Sequence, residues 1–226
     1  MLRHLLGASA TAETMLEAIA RDARETGGKT GRPVFGDAVM EAMRTVPRAA
    51  FVPEAEKPFA WENRPLPIGH GQTISQPFVV ALMTELLDVQ PGARILEVGT
   101  GCGYQTAVLC ALGATVYSVE VVEPLAAAAA ARLDALGYAQ AKVRAGDGHA
   151  GWPEEAPFDG IIVTAAAPSV PPALVAQLEH GGSLVIPVGP AGGTQQLQRL
   201  EKHVDGSSEA KPVLPVAFVP LTRGHC

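Results

Sequence analysis

The stretch LEVGTGCGYQTA, residues 96–107, decides how the rest of the chain is read. A β-rich run, ARILEVG, enters it and a helix-like run over 104–112 leaves it, so Gly99, Gly101 and Gly103 fall in a turn from strand to helix. Glycines so placed let backbone amides approach a ligand closely at a helix N-terminus; a turn that only reverses the chain is the competing explanation. The spacing narrows the choice of ligand. A dinucleotide turn follows G-x-G-x-x-G/A, whereas the sixth position is Tyr104 counted from Gly99 and Thr106 counted from Gly101. Pyrophosphate is therefore disfavoured, and a nicotinamide oxidoreductase with it.

Outward from this turn the same texture repeats. TVYSVE, KVRAGD, DGIIVTAA and GSLVIPVG are further strand candidates, and 124–136 and 171–179 are helix candidates. Strand alternating with helix implies a parallel sheet covered on both faces, an α/β Rossmann-like fold whose ligands sit beyond the carboxyl ends of the strands. Glu120 closes the next strand 21 residues after Gly99, where its carboxylate can accept from both hydroxyls of a ribose. Asp147, followed by Gly148, closes the third and can accept from an adenine amino group. Either acid alone reads as a solvated strand terminus; glycines and two acids at three successive strand ends read as a site. A nucleoside without pyrophosphate fits it, which points to S-adenosylmethionine, with S-adenosylhomocysteine as its product. Glu97, Thr100 and Thr164 belong to the same candidate set.

The chain's ends differ from this core. AETMLEAIARDA and GDAVMEAMRTV carry apolar residues at helical spacing, Asp37 being a cap candidate, and predict an N-terminal helical extension. From Pro53 to Pro67 prolines and scattered charges predict an extended covering segment. QQLQRLEKH and VLPVAFVPL predict an antiparallel C-terminal edge joined by a long loop over KHVDGSSEAKP. All of this is expected in one domain, residues 1–70 forming the extension and covering segment and 71–226 the cofactor-binding core.

Composition bounds the function. With 226 residues, a net charge of −6 and no Lys/Arg cluster, the chain offers no footprint for nucleic acid. No uninterrupted apolar span is long enough for a membrane helix, since Arg132 and Asp134 break the Ala-Leu run. Cys102, Cys110 and Cys226 lack metal-ligand spacing and suit a reducing compartment, and the apolar stretch of MLRHLLGASATA is too short for a signal segment. A metal-free cytoplasmic monomer is the expectation.

GHGQTISQPFVVALM, residues 69–83, reads as a loop entering a helix, with Ser75 as N-cap and Pro77 in the first turn. It carries more hydroxyls and amides than a cap needs. With VPRAAFVPE, RPLPIGHGQTISQP, LEVGTGCGYQTAVL, APFDGIIVTAAAP, LEHGGSLVIPVG and FVPL in order, the chain resembles the protein-L-isoaspartate O-methyltransferases over nearly its whole length. The resemblance implies methyl transfer from S-adenosylmethionine to the free carboxylate of isoaspartyl residues in damaged proteins and peptides. It also implies that the hydroxyl of Ser75 lies at the active site. Thr73 and Ile74 are then expected beside cofactor and peptide, with Gln72, Ala165, Ala166 and Ala167 lining the substrate. Cys102 stands where the family often has Ser. The alternatives are a relative that modifies Asp in a dedicated peptide precursor, and a nucleoside-binding protein without turnover.

Overall fold

The computed structural model describes residues 10–223; the start of MLRHLLGASATA, and His225 and Cys226, lie outside the described residues. Two helices come first, α1 (Ala12–Thr30) and α2 (Asp37–Thr45). Thr11 caps α1 through the Thr14 amide, and Met15, Leu16, Ile19 and Ala23 make its buried stripe. The helix runs past the periodic segment and through Gly27, which is buried against Pro33, so packing outweighs the poor helix propensity of glycine. The cap of α2 is Gly36; Asp37 is instead an acid in the first turn, where it faces the positive end of the helix dipole.

The expected loop from residue 69 is in fact a hairpin, β1 (Leu66–Gly69) paired with β2 (Gln72–Ile74), followed by α3 (Pro77–Leu87). Gly69, His70 and Gly71 turn it with φ of 93°, 52° and 71°. The cap of α3 also departs from expectation. Gln76 occupies the N-cap position without a side-chain bond, and it is Asn63, beyond a short helical turn (Glu54–Phe59) that replaces part of the expected extended segment, that accepts the Phe78 amide at 2.9 Å while donating to Asp22 at 2.7 Å. The cap is thus supplied from outside the helix, and the polar side chains ahead of Pro77 are released from that duty.

The core then alternates: β3 (Arg94–Val98), α4 (Tyr104–Ala111), β4 (Thr115–Glu120), α5 (Glu123–Ala135), β5 (Ala141–Ala145), β6 (Phe158–Val163), α6 (Pro172–Gln177) and β7 (Leu178–Val188). Two antiparallel strands, β8 (Gln195–Lys202) and β9 (Ser208–Val216), complete a seven-stranded sheet of order β5-β4-β3-β6-β7-β8-β9. The central parallel strands β3, β4 and β6 are buried on both faces, whereas β5 at the edge is partly exposed. Ile95 faces a core shared with α1 to α4, whereas Leu96 and Val98 face a second core containing Leu174 of α6. The chain winds outward from β3 to β5 and then returns to β6 on the other side. The topological switch point therefore lies between β3 and β6, and the crevice beyond their carboxyl ends is where a ligand belongs.

The C-terminal hairpin has a shorter connection than the sequence implies, because β9 begins at Ser208 and ends at Val216. Beyond it the expected continuation of the strand through Phe218 leaves the ladder: the Phe218 amide donates to the side-chain Oε1 of Gln195 at 2.8 Å. The tail then pairs with the segment that follows β6, Ala166 donating to the Val219 carbonyl and accepting from the Leu221 amide.

Replacing Asn63 by Ala should destabilise the protein by about 1–2 kcal/mol, because the α3 cap is lost. Ser75→Ala should stay within roughly 0.5 kcal/mol of the parent, since that hydroxyl has no partner among the described residues. Urea titration of both variants checks the pair.

Candidate active site

The ends of β3, β4 and β6 surround one crevice. Val98 pairs with Val163, so the residues that follow, Gly99 and Thr164, meet across the switch point. The Thr164 hydroxyl donates to the Gly99 carbonyl at 2.6 Å, and a Cβ on Gly99 would lie 2.4 Å from that hydroxyl oxygen. With φ at 97° as well, only glycine fits there. Gly148 is a second close approach, where a Cβ would lie 2.4 Å from Val98 Cγ1. Between them the crevice holds about 530 Å³ of free space counted out to its mouth.

Glu120 forms one wall. Its Oε2 accepts the Gly101 amide at 2.8 Å and its Oε1 the Val122 amide at 2.9 Å. Both oxygens are held in place, and each keeps a lone pair for a further donor, which is what a vicinal diol requires. The three glycine amides of the loop are meanwhile consumed inside the protein: Gly99 donates to Val119, Gly101 to Glu120 and Gly103 to Thr100. The three glycine amides are therefore not available to a pyrophosphate, in line with the spacing argument.

Glu97 is elsewhere. It is fully buried beneath the loop and does not line the crevice. Its Oε2 accepts from Thr106 at 2.5 Å and from Ser118 at 2.6 Å, and the Thr100 hydroxyl lies 2.5 Å from that of Ser118. Ser118 gives its only proton to Glu97, so Thr100 donates to Ser118, and the chain of hydroxyls ties the glycine loop to the interior. Oε1 has no partner among the described residues. Burial pushes the carboxyl up to about 7, the hydroxyl donors oppose the rise, and the charge of Glu120 adds to it.

Asp147 turns partly away from the crevice, with Oδ1 accepting the His149 amide at 2.9 Å and facing its Nδ1 at 3.0 Å. Burial raises its pKa, but the bonds from His149 outweigh burial and leave it below the ordinary value. Gly148 does line the crevice, as do Gln72 and Ala165. Ala166 and Ala167 do not; Ala166 holds the tail and Ala167 bonds to Pro187 and Gly189. Gly103 stands behind the loop against Leu133, as N-cap of α4.

Beside the crevice runs a groove with about 1080 Å³ of free space out to solvent, between the start of α3 and the end of β9. Thr73 and Thr164 line both spaces, and Ser75 lines the groove and the narrow passage between them that Ile74, Thr100 and Gly101 also border. Neither Thr73 nor Ser75 makes a side-chain hydrogen bond among the described residues. The closing FVPL has no role beyond a strand when read as sequence, yet Val219, Pro220 and Leu221 line the crevice. Its partner Ala166 is remote along the chain, so no local signal could have placed it there.

Three comparisons bear on this arrangement. The family model described as protein-L-isoaspartate(D-aspartate) O-methyltransferase matches residues 28–226. A Polaromonas protein named protein-L-isoaspartate O-methyltransferase 2 is 55% identical over 208 residues, 92% of this chain and 99% of its own. Two solved structures share the fold. One, named protein-L-isoaspartate O-methyltransferase, has a TM-score of 0.79 at 26% identity over 93% of this chain and 65% of its own. The other, a Plasmodium falciparum structure described as a protein-L-isoaspartate O-methyltransferase in complex with S-adenosyl-L-homocysteine, has a TM-score of 0.78 at 26% identity over 94% and 99%.

The raised Glu97 carboxyl makes stability depend on pH. Its contribution is complete below the unfolded value of 4.5 and is lost as pH rises through about 7. Relative to Glu97→Gln, which keeps an acceptor oxygen, the parent should lose roughly 2–3 kcal/mol between about pH 5 and pH 9. Denaturant midpoints of the two proteins across that range measure the difference.

Proposed function

This chain belongs to the protein-L-isoaspartate O-methyltransferase family, and on that premise we propose how its own residues carry the reaction. It transfers a methyl group from S-adenosylmethionine to the free carboxylate of L-isoaspartyl residues in damaged proteins, a repair step. The residues present fit that cofactor: Glu120 is oriented for a ribose, Gly99 and Gly148 keep the crevice clear of side chains, and the three glycine amides are engaged within the protein and not held for a phosphate. When bound, the cofactor supplies an electrophilic methyl on a sulfonium.

The observation that carries the assignment of roles is the shared wall, since Thr73 and Thr164 border both crevice and groove. We assign the crevice to the adenosyl group and the groove to the peptide, with Ser75 at the passage between them. A carboxylate with a pKa near ~3.9 arrives ionised at neutral pH, so no general base is required. In keeping with this, no titratable side chain lines the groove among the described residues. The protein's work is alignment and exclusion of water, which supplies up to roughly 7–11 kcal/mol in ideal cases. Strong bonds to the attacking oxygen would oppose the reaction, because its charge falls in the transition state. Ser75 therefore holds the other oxygen, while Thr73 and Ile74 shape the slot.

Among the described residues no helix is long and apolar enough to cross a membrane. The net charge of −6 and the free, buried Cys102 and Cys110 support our placing the protein in the cytoplasm as a monomer acting on isoaspartyl proteins and peptides.

Incubation with methyl-labelled S-adenosylmethionine and matched isoaspartyl, aspartyl and asparaginyl peptides tests the substrate: base-labile label is expected on the isoaspartyl peptide alone. Equal labelling of the aspartyl peptide would contradict it. Ser75→Ala should lower kcat/KM by about tenfold or more, the loss of one hydrogen bond to a charged group, and unchanged kinetics in the folded variant would remove Ser75 from the site.

A further inference from the structure

Arg48 is the one fully buried cation among the described residues, and no carboxylate pairs with it. It sits on the short helical turn Arg48–Phe51 that follows α2. Its Nε donates to the Ala60 carbonyl at 2.9 Å, and its Nη2 to the Ser75 carbonyl at 2.9 Å and, more weakly, to the Arg64 carbonyl at 3.4 Å. The guanidinium carbon lies 4.9 Å from the centroid of the ring of Tyr104, the first residue of α4 after the glycine loop. Nη1 is buried without a partner. A buried charge with no counter-ion is a poor way to stabilise a core, because desolvation costs several kcal/mol that carbonyls and a ring only partly return. What a guanidinium provides is a rigid fork that reaches several acceptors at fixed angles.

From this geometry we propose that Arg48 is a positioning residue for methyl transfer, fixing the Ser75 peptide unit against the glycine-loop helix. The proposal rests on the assignment of Ser75 to the active site made above. Four separate parts of the chain converge on this side chain: the turn it belongs to, the covering segment at Ala60 and Arg64, the passage residue Ser75, and Tyr104. The α3 cap already comes from Asn63 in the same covering segment, so the Ser75 hydroxyl is free while its carbonyl is held by the guanidinium. A carbonyl fixed by a buried donor fixes the orientation of the whole peptide plane. Ser75 can then present its hydroxyl without a side-chain bond of its own, which suits a light contact to a carboxylate that must lose its charge.

A lysine keeps the charge but not the fork, and its ammonium cannot span Ala60 and Ser75 while stacking on Tyr104. Arg48→Lys, Ser75→Ala and the double variant form the test, with Arg48→Gln read in the same way should the lysine variant fail to fold. The expected result is that Arg48→Lys lowers kcat about tenfold or more in the parent and less than about threefold in the Ser75→Ala background. Affinity for S-adenosylhomocysteine should change by less than about threefold, and amide exchange over residues 72–78 should accelerate in Arg48→Lys. Equal losses in both backgrounds, or an affinity loss that accounts for the whole effect, would reduce Arg48 to a structural residue and leave the Ser75 assignment standing. If Ser75→Ala itself has no effect, both ideas fall.

Discussion

Thr164 and Gly99 meet where β3 and β6 end, and the site is organised by that contact. The hydroxyl of one residue donates to the carbonyl of the other at 2.6 Å, leaving no room for a Cβ. Because the two strands part company at this point, one running to β4 and the other to β7, the sheet opens a crevice there. The glycine loop crosses its floor, and Glu120 reaches in from the next strand, steadied by the Gly101 amide. Loosening the stitch would therefore disturb the loop, the carboxylate and the threonine shared with the groove together.

A second layer of interactions keeps the reactive surface free. Asn63 caps α3, and Arg48 takes up the Ser75 carbonyl, so the side chains of Thr73 and Ser75 are left without hydrogen-bond partners among the described residues. Below the loop, Thr100, Ser118, Thr106 and Glu97 form a linked set of hydrogen bonds that holds the floor from inside. The chemistry asks for such an arrangement. A carboxylate nucleophile needs no proton removed, so the contribution of the chain is geometry and dryness.

The sheet was legible in the sequence because buried parallel strands write themselves as short apolar runs, and the strand-end residues Gly99, Glu120 and Asp147 follow from where those runs stop. The glycine spacing also carried information, since the loop amides are turned inward. What could not be read were pairings between distant positions. Asn63 replaces Ser75 as the capping side chain of α3 from 15 residues before Phe78, and Arg48 reaches Ser75 across 27 residues. The family resemblance named VPRAAFVPE as a motif without saying what its arginine does. Ala166 and Ala167 look like lining residues in VTAAAP, yet tertiary contacts make them the anchor of the C-terminal tail and of β7. Glu97 stands two residues before Gly99 and joins the candidate set in sequence, but its alternation along β3 turns it into the core.

A crystal structure of the protein with S-adenosylhomocysteine and an isoaspartyl peptide bound together would decide whether crevice and groove hold the two reactants as assigned. The ribose hydroxyls should lie on the two oxygens of Glu120, the peptide in the groove beside β9, and the isoaspartyl carboxylate within hydrogen-bond reach of the Ser75 hydroxyl at the passage between them. An adenosyl group outside the crevice bounded by Gly99 and Glu120, or an isoaspartyl carboxylate remote from Ser75, would show the assignment to be wrong.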